Sequence, residues 1–265
     1  MLRLSLANLV TAATIISATS ADATYVRTNA ATPQRPFKPW KTTTTATDQD
    51  IIVDFGSATL IEAIGLIRTN FTSVTIQGNA TNSWGGPSYA STLTVARNPW
   101  NTRYQYGYRP VAFNYRYLRV AITGGQTPTD GASVFLLGGL WAGTLTTAPR
   151  DFAETYTVNR IEPRLDVRPS SRAWTQRLTI GEPRVSIRTK LDVITGTPPA
   201  KTDLLASWLE VQRQMTNAQY FLALLEDSDP AQSYIVQAAD EPDWQVGTGS
   251  ISTQGTFTLE EMLGP

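Results

Sequence analysis

The 265-residue chain contains no cysteine and no histidine. The first absence removes disulfides, thiolate nucleophiles and cysteine-bound metals. The second removes imidazole bases, histidine-dependent triads and histidine-ligated zinc or iron. An enzyme of this composition would have to work with carboxylates, lysine, tyrosine, serine or threonine alone, which points away from catalysis. Charge is sparse, at 17% of residues, and balanced at 22 basic against 22 acidic side chains. No stretch approaches the roughly 18–20 successive apolar residues of a membrane-spanning helix. Hydrophobic residues make up 41%, enough to bury a core and unlike a disordered chain.

The charge is unevenly placed. Residues 1–149 carry 11 Lys+Arg and 6 Asp+Glu, a net of +5, whereas residues 150–265 carry 11 and 16, a net of −5. With a length that suits one large or two ordinary domains, this asymmetry predicts two units. The polar stretch TLTTAPR at 144–150 marks the boundary, giving domains 1–147 and 148–265. The opening MLRLSLANLVTAATIISATSADA imitates a signal peptide, but Asn8, Thr11, Thr14 and Ser17 interrupt its apolar run. It reads as a strand and loop that open the first domain. The sequons at Asn70 and Asn79 carry no weight without a secretory signal.

Up to about Leu145 the chain predicts short strands punctuated by Gly, Pro, Asn and Ser: Ile51–Phe55, Leu60–Ile67, Val74–Gln77, Leu93–Val95, Tyr115–Ile122 and Val134–Trp141. That texture indicates a β-sandwich or jelly roll. In the strand from Tyr115, alternation puts Tyr115, Tyr117 and Arg119 on one face, with Arg116, Leu118 and Val120 on the other. Beyond the boundary, longer alternating strands are expected at Thr155–Asp166, Trp174–Ile180 and Arg184–Val193. One helix follows at Asp203–Asn217, capped by Thr202 or Asp203, with Leu204, Leu205, Trp208, Leu209, Val211 and Met215 as its apolar face. Strands at Tyr220–Leu225, Ser233–Ala238, Trp244–Val246 and Thr256–Leu259 complete the chain. The fold class is mainly β: a sandwich followed by an α+β domain with one helix packed on a sheet.

Chemistry is sought and mostly absent. The adjacent carboxylates Asp48/Asp50, Asp227/Asp229 and Glu260/Glu261 sit in loop-like or terminal settings without flanking aromatic clefts, a poor frame for glycoside hydrolysis. The Asp48/Asp50 loop lacks the ligand spacing of a calcium site. There is no nucleotide-binding glycine loop and no nucleophile elbow, and Ser83-Trp84-Gly85-Gly86 reads as a turn. No catalytic residue, metal or cofactor is expected. The candidate site is instead an aromatic cluster, Trp84, Tyr89, Trp100, Tyr104, Tyr106 and Tyr108, beside Arg97, Arg103 and Arg109. Such residues stack on sugar rings or anchor protein contacts, and they also build a minicore at the end of a sandwich.

LSLANLVTAATIISATSADA, Trp40, IIVDFGS, IEAIGLIRTN, VTIQGN and YRYLRVAI, in that order, resemble the discoidin-type, galactose-binding-like β-sandwich of the kind carried by phage structural proteins. The cysteine pair usual in that family is missing, which fits assembly inside a cell. The second half, with its long strands, LLASWLEVQRQM, YFLALLEDSD, YIVQAADEPDW and TFTLEEM, resembles the tail-tube fold of long-tailed phages, most of all the ring domain of distal tail proteins. The order of the two parts is altered from that family's. The resemblance implies a virion structural protein of the tail tip, assembled in the host cytoplasm as a homo-oligomeric ring, a hexamer. Its partners would be the tube protein and tail hub, with DNA passing through the channel unbound, and the outer sandwich would attach other tail parts or a host glycan. Acidic residues suit a channel DNA must not stick to, and the candidates are Asp227, Asp229, Asp240, Glu241 and Asp243. The competing reading is a carbohydrate-binding module or host-receptor adhesin without catalytic activity.

Overall fold

The computed structural model describes residues 3–33, 38–95 and 106–146, and beyond them 152–161, 164–167, 176–179, 184–194, 210, 213–215, 218, 220–225, 232–239, 243–246 and 253–261. The chain divides into two compact units, one of residues 1–147, 217–235 and 264–265, the other of residues 148–216 and 236–263. This differs from two consecutive blocks, because a late segment, 217–235, belongs with the first unit.

The first unit holds β1 (Arg3–Ser5), β2 (Ile15–Ala18), β3 (Trp40–Lys41), β4 (Gln49–Ile61), β5 (Ala63–Thr69), β6 (Ser73–Asn79), β7 (Tyr89–Thr94), β8 (Tyr106–Tyr108), β9 (Phe113–Ile122) and β10 (Leu136–Gly143). They form a five-stranded sheet in the order β2-β4-β9-β6-β7 and a four-stranded sheet in the order β3-β10-β5-β8. The pairings within both are antiparallel. Period-2 alternation turns Ile51, Val53, Val74, Ile76, Leu118 and Val120 of the first sheet inward, where they meet Ile64, Leu66, Leu140 and Ala142 of the second. The result is the β-sandwich expected from the sequence.

Strand ends depart from the periodicity reading. β4 runs on through Gly56, which takes φ 81°, and its register against β9 shifts between Asp54 and Thr59. This bulge carries what looked like a turn inside one long strand. Trp40 is fully buried and donates its indole N–H to the Ser20 carbonyl at 2.9 Å. Asn70 is also buried; its amide nitrogen donates to Asp130 and to the Val134 carbonyl, and its oxygen accepts from Leu136 N–H. Trp40 and Asn70 therefore fasten loops rather than meet solvent.

A third layer covers the four-stranded sheet. Strands β15 (Phe221–Leu224) and β16 (Ser233–Ala238) are neighbours, and β15 also pairs antiparallel with β1, Arg3 facing Leu224. A Cβ at Gly65 would lie 3.2 Å from Leu222, and one at Gly107 would overlap Leu224 Cδ2 and Ser233 Oγ. Trp141 bonds Ser5 Oγ at 3.0 Å and meets Tyr220 edge to face at 5.9 Å. β5 and β10 are consequently buried on both faces, which accounts for their near-continuous apolar sequences AIGLIRT and LLGGLWAG.

The second unit contains β11 (Phe152–Ile161), β12 (Arg164–Val167), β13 (Gln176–Thr179), β14 (Arg184–Ile194), β17 (Asp243–Val246) and β18 (Thr253–Glu261). β14 lies between β11 and β18, β17 also pairs with β18, and β12 pairs with β13, all antiparallel. The last residues of β16 pair with the end of β18, Val236 facing Glu261. Of the predicted helix only Glu210 and Arg213–Met215 are described; they are helical, and Met215 is buried. The rest of that helix lies outside the described residues.

The third layer generates a prediction. Without residues 217–235, Leu4 and Trp141 would lose cover, at about 1.5–3 kcal/mol each, a large share of a domain's whole stability. A chain ending at Thr147 is expected to aggregate or melt far below the full-length protein in circular dichroism. An unchanged melting temperature would show the third layer to be dispensable.

Candidate functional site

With one sheet covered on both sides, the exposed sheet surface of the sandwich is the outer face of β2-β4-β9-β6-β7. Alternation places Asp50, Ile52 and Asp54 of β4 there, beside Tyr117, Arg119 and Ala121 of β9 and Thr75, Gln77 and Asn79 of β6. The register aligns them across strands, with Ile52, Arg119, Gln77 and Ala90 in one row and Asp54, Tyr117 and Asn79 in the next.

Arg119 is the hub of this face. Its Nε donates to Asp50 Oδ2 at 2.7 Å and its Nη1 to Gln77 Oε1 at 3.1 Å. The other Asp50 oxygen accepts the Thr19 hydroxyl. One row on, Arg116 holds Asp54 in a two-pronged bridge, both contacts at 2.8 Å, and its guanidinium lies 4.9 Å from the Tyr117 ring centroid. That bridge, helped by the Gly56 N–H and opposed by burial, holds the Asp54 carboxyl at about 2, below the ordinary 3.8.

Trp84 reaches this face from the loop between β6 and β7. Asn79 staples the loop, donating to the Ser83 carbonyl at 2.7 Å and accepting from Ala80 N–H and the Ser88 hydroxyl. Trp84 donates to Asn82 Oδ1 at 2.8 Å and lies over Arg119, 5.6 Å from guanidinium carbon to ring centroid. The indole stays partly exposed. The residues of a mere turn thus deliver an aromatic plate onto a polar sheet.

The other expected site residues go elsewhere. Tyr106 is 4% exposed and belongs to the sandwich core, so it is not a surface contact. Its place follows from β8, a strand in a stretch that reads as loop-rich. Tyr89 packs edge to face on Phe113 at 5.4 Å, and its hydroxyl bonds that of Tyr108. Burial first, and then the Tyr108 hydroxyl, push the Tyr89 phenol upward. Tyr115 packs on Phe113 and does not join Tyr117 and Arg119, because the β4 bulge breaks the alternation there. Trp100 and Tyr104, with Arg97 and Arg103, lie outside the described residues, as do Asp227, Asp229, Asp240 and Glu241. Asp243 opens β17 opposite Thr256. Among the carboxylate pairs, Asp48 accepts the Gly124 N–H at 2.8 Å while Asp50 serves Arg119, and Glu260 and Glu261 point to opposite faces of β18.

Sequence reasoning found Trp84 but missed Arg119, Gln77, Asn79 and Asp50 as its company. They come from three strands, and only the register β4-β9-β6 brings them together. The alternation of VTIQGN, which leaves Thr75, Gln77 and Asn79 on one side, was the available signal.

Comparison with known proteins gives likenesses in structure only. No family model matches the sequence, and no curated protein does. Reduced XRCC1, solved bound to the catalytic domain of DNA polymerase β, is similar over 49% of this chain and 94% of its own, with 12% identity and a TM-score of 0.39. The lectin domain of lectinolysin, solved with Lewis B antigen, is similar over 51% of this chain and 95% of its own, with 12% identity and a TM-score of 0.40. SpX-3, a fucose-binding module of Streptococcus pneumoniae, is similar over 52% of this chain and 98% of its own, with 9% identity and a TM-score of 0.39. The case for the sandwich rests on the sheet order itself.

The Asp54–Arg116 bridge makes an acid-stability prediction. A carboxyl whose folded value is depressed stabilises the fold above its ordinary value of 3.8, and that contribution is lost as pH falls through about 2. Asp54→Asn is therefore expected to lower the melting temperature at neutral pH and to flatten its decline between those two values. An equally steep acid decline in the variant would assign the loss to other groups.

Proposed function

We propose that the protein is a non-catalytic carbohydrate-binding module whose ligand face is the outer surface of the five-stranded sheet. One observation carries this reading: Trp84, partly exposed and backed by Arg119, stands over a face that carries Thr75, Gln77, Asn79 and Tyr117 beside two arginine–aspartate pairs. A sugar ring has apolar C–H faces and a rim of hydroxyls. It would stack on the indole and exchange hydrogen bonds with Gln77, Asn79, Thr75 and Tyr117. Arg119 fixes the indole from behind, a cation–π contact worth about 0.5–1 kcal/mol at an exposed site. The carboxylates of the face are engaged with arginines, so this reading assigns them no acid–base role.

A second reading has its own observation. In the second unit, β11 ends its sheet with β14 as its partner among the described strands. A long edge strand of this kind pairs readily with another copy, the arrangement a tail-tip ring requires. Light scattering that finds a closed oligomer, a hexamer above all, would support that role and make the sandwich its outer attachment. A monomer at every concentration would remove it.

For the first reading, a glycan array followed by calorimetry is expected to find a binder whose affinity falls roughly tenfold or more in Trp84→Ala, about 1.4 kcal/mol per tenfold. The melting temperature should change little, since the side chain sits in a loop. Absence of any glycan binder, or binding indifferent to Trp84→Ala, would reject it.

A further inference from the structure

The strands of the five-stranded sheet have an unusual charge inventory. β2, β4, β6, β7 and β9 contain four ionisable charges in all, Asp50, Asp54, Arg116 and Arg119. The loop that carries Trp84, residues 80–88, adds none. All four are consumed in two ion pairs, Arg119–Asp50 at 2.7 Å and Arg116–Asp54 at 2.8 Å. Each arginine stands beside an aromatic ring of the face, Arg119 by Trp84 and Arg116 by Tyr117. Both arginine side chains keep some exposed surface, 43% for Arg116 and 23% for Arg119, and each already faces a carboxylate of the sheet.

We propose that this face discriminates by charge, accepting uncharged glycans and rejecting acidic ones; the inference rests on the glycan-binding reading above. A uronate, sialate or sulfate would have to displace Asp50 or Asp54 from its guanidinium, leaving a carboxylate unpaired beside a second anion. Like charges at such distances repel, and the displaced carboxylate is partly desolvated, so the exchange is unfavourable. An uncharged sugar meets no such obstacle. It finds the arginines held by their carboxylates, one of them against the indole. The two aspartates are thus specificity residues: they keep the arginines as scaffolding and cancel them as anion receptors.

The test uses the full-length protein against lactose-type and other neutral oligosaccharides and their sialylated or sulfated counterparts, at low and high salt. Wild type is expected to bind the neutral member of a pair better, with little dependence on salt. Asp50→Asn frees Arg119 and is expected to raise affinity for the anionic member by roughly tenfold, in a salt-sensitive manner. Asp54→Asn, at the more exposed pair, provides the same readout through Arg116 should Asp50→Asn fold poorly. Wild-type preference for the acidic member, or neither variant gaining anion affinity, overturns the inference while leaving glycan binding intact. Absence of binding to both members overturns the glycan reading itself, and this inference with it.

Discussion

The constraint on which the first unit depends is the double burial of its four-stranded sheet. Strands β5 and β10 put Ile64, Leu66, Leu140 and Ala142 into the sandwich core. Their other face is closed by a strand pair from the far end of the chain, through contacts such as Trp141 on Tyr220 and Gly107 beneath Leu224. A sheet buried on both sides has no surface to offer a ligand. Its composition must be apolar throughout, and its glycines mark where the covering strand comes closest. The consequence is that the exposed sheet surface of the sandwich is that of the opposite sheet, whose outer side carries the polar half of a regular alternation.

That opposite sheet is built to be polar without being charged. Its hydroxyls and amides come from strands in which every second residue must face the core, and its four charges cancel in pairs. The pairs also hold the aromatic groups in place. Arg119 lies under Trp84 because Asp50 and Gln77 fix its plane, and Arg116 lies beside Tyr117 because Asp54 grips it with two oxygens. Replacing such partly buried pairs by apolar groups can be neutral, whereas breaking one leaves a charge unpaired. Their effect is geometric, holding side chains that would otherwise sample many rotamers.

The N-terminal sandwich was legible for a physical reason. Short alternating strands with polar breaks leave a pattern that survives in one dimension, and all six strands anticipated before residue 145 correspond to observed ones. The errors cluster where tertiary contacts override local signals. Gly56 reads as a strand end, yet a bulge carries the chain onward. Tyr106 reads as part of an exposed aromatic loop, yet it pairs in β8 and enters the core. Trp40, which belongs to the sandwich resemblance, and Asn70, which reads as an idle sequon, are fastenings of loops.

By itself the sequence determined the class of fold, the absence of thiol and imidazole chemistry, and Trp84 as a residue of interest. Each follows from composition or from local periodicity, which need no knowledge of partners distant along the chain. Tertiary structure alone decided that residues 217–235 return to cover the first unit, and which aromatics are core and which surface. It alone assembled the Arg119, Asp50, Gln77 and Asn79 setting around Trp84. These depend on strand register between segments many tens of residues apart, and a one-residue slip would turn every one of those side chains to the other face.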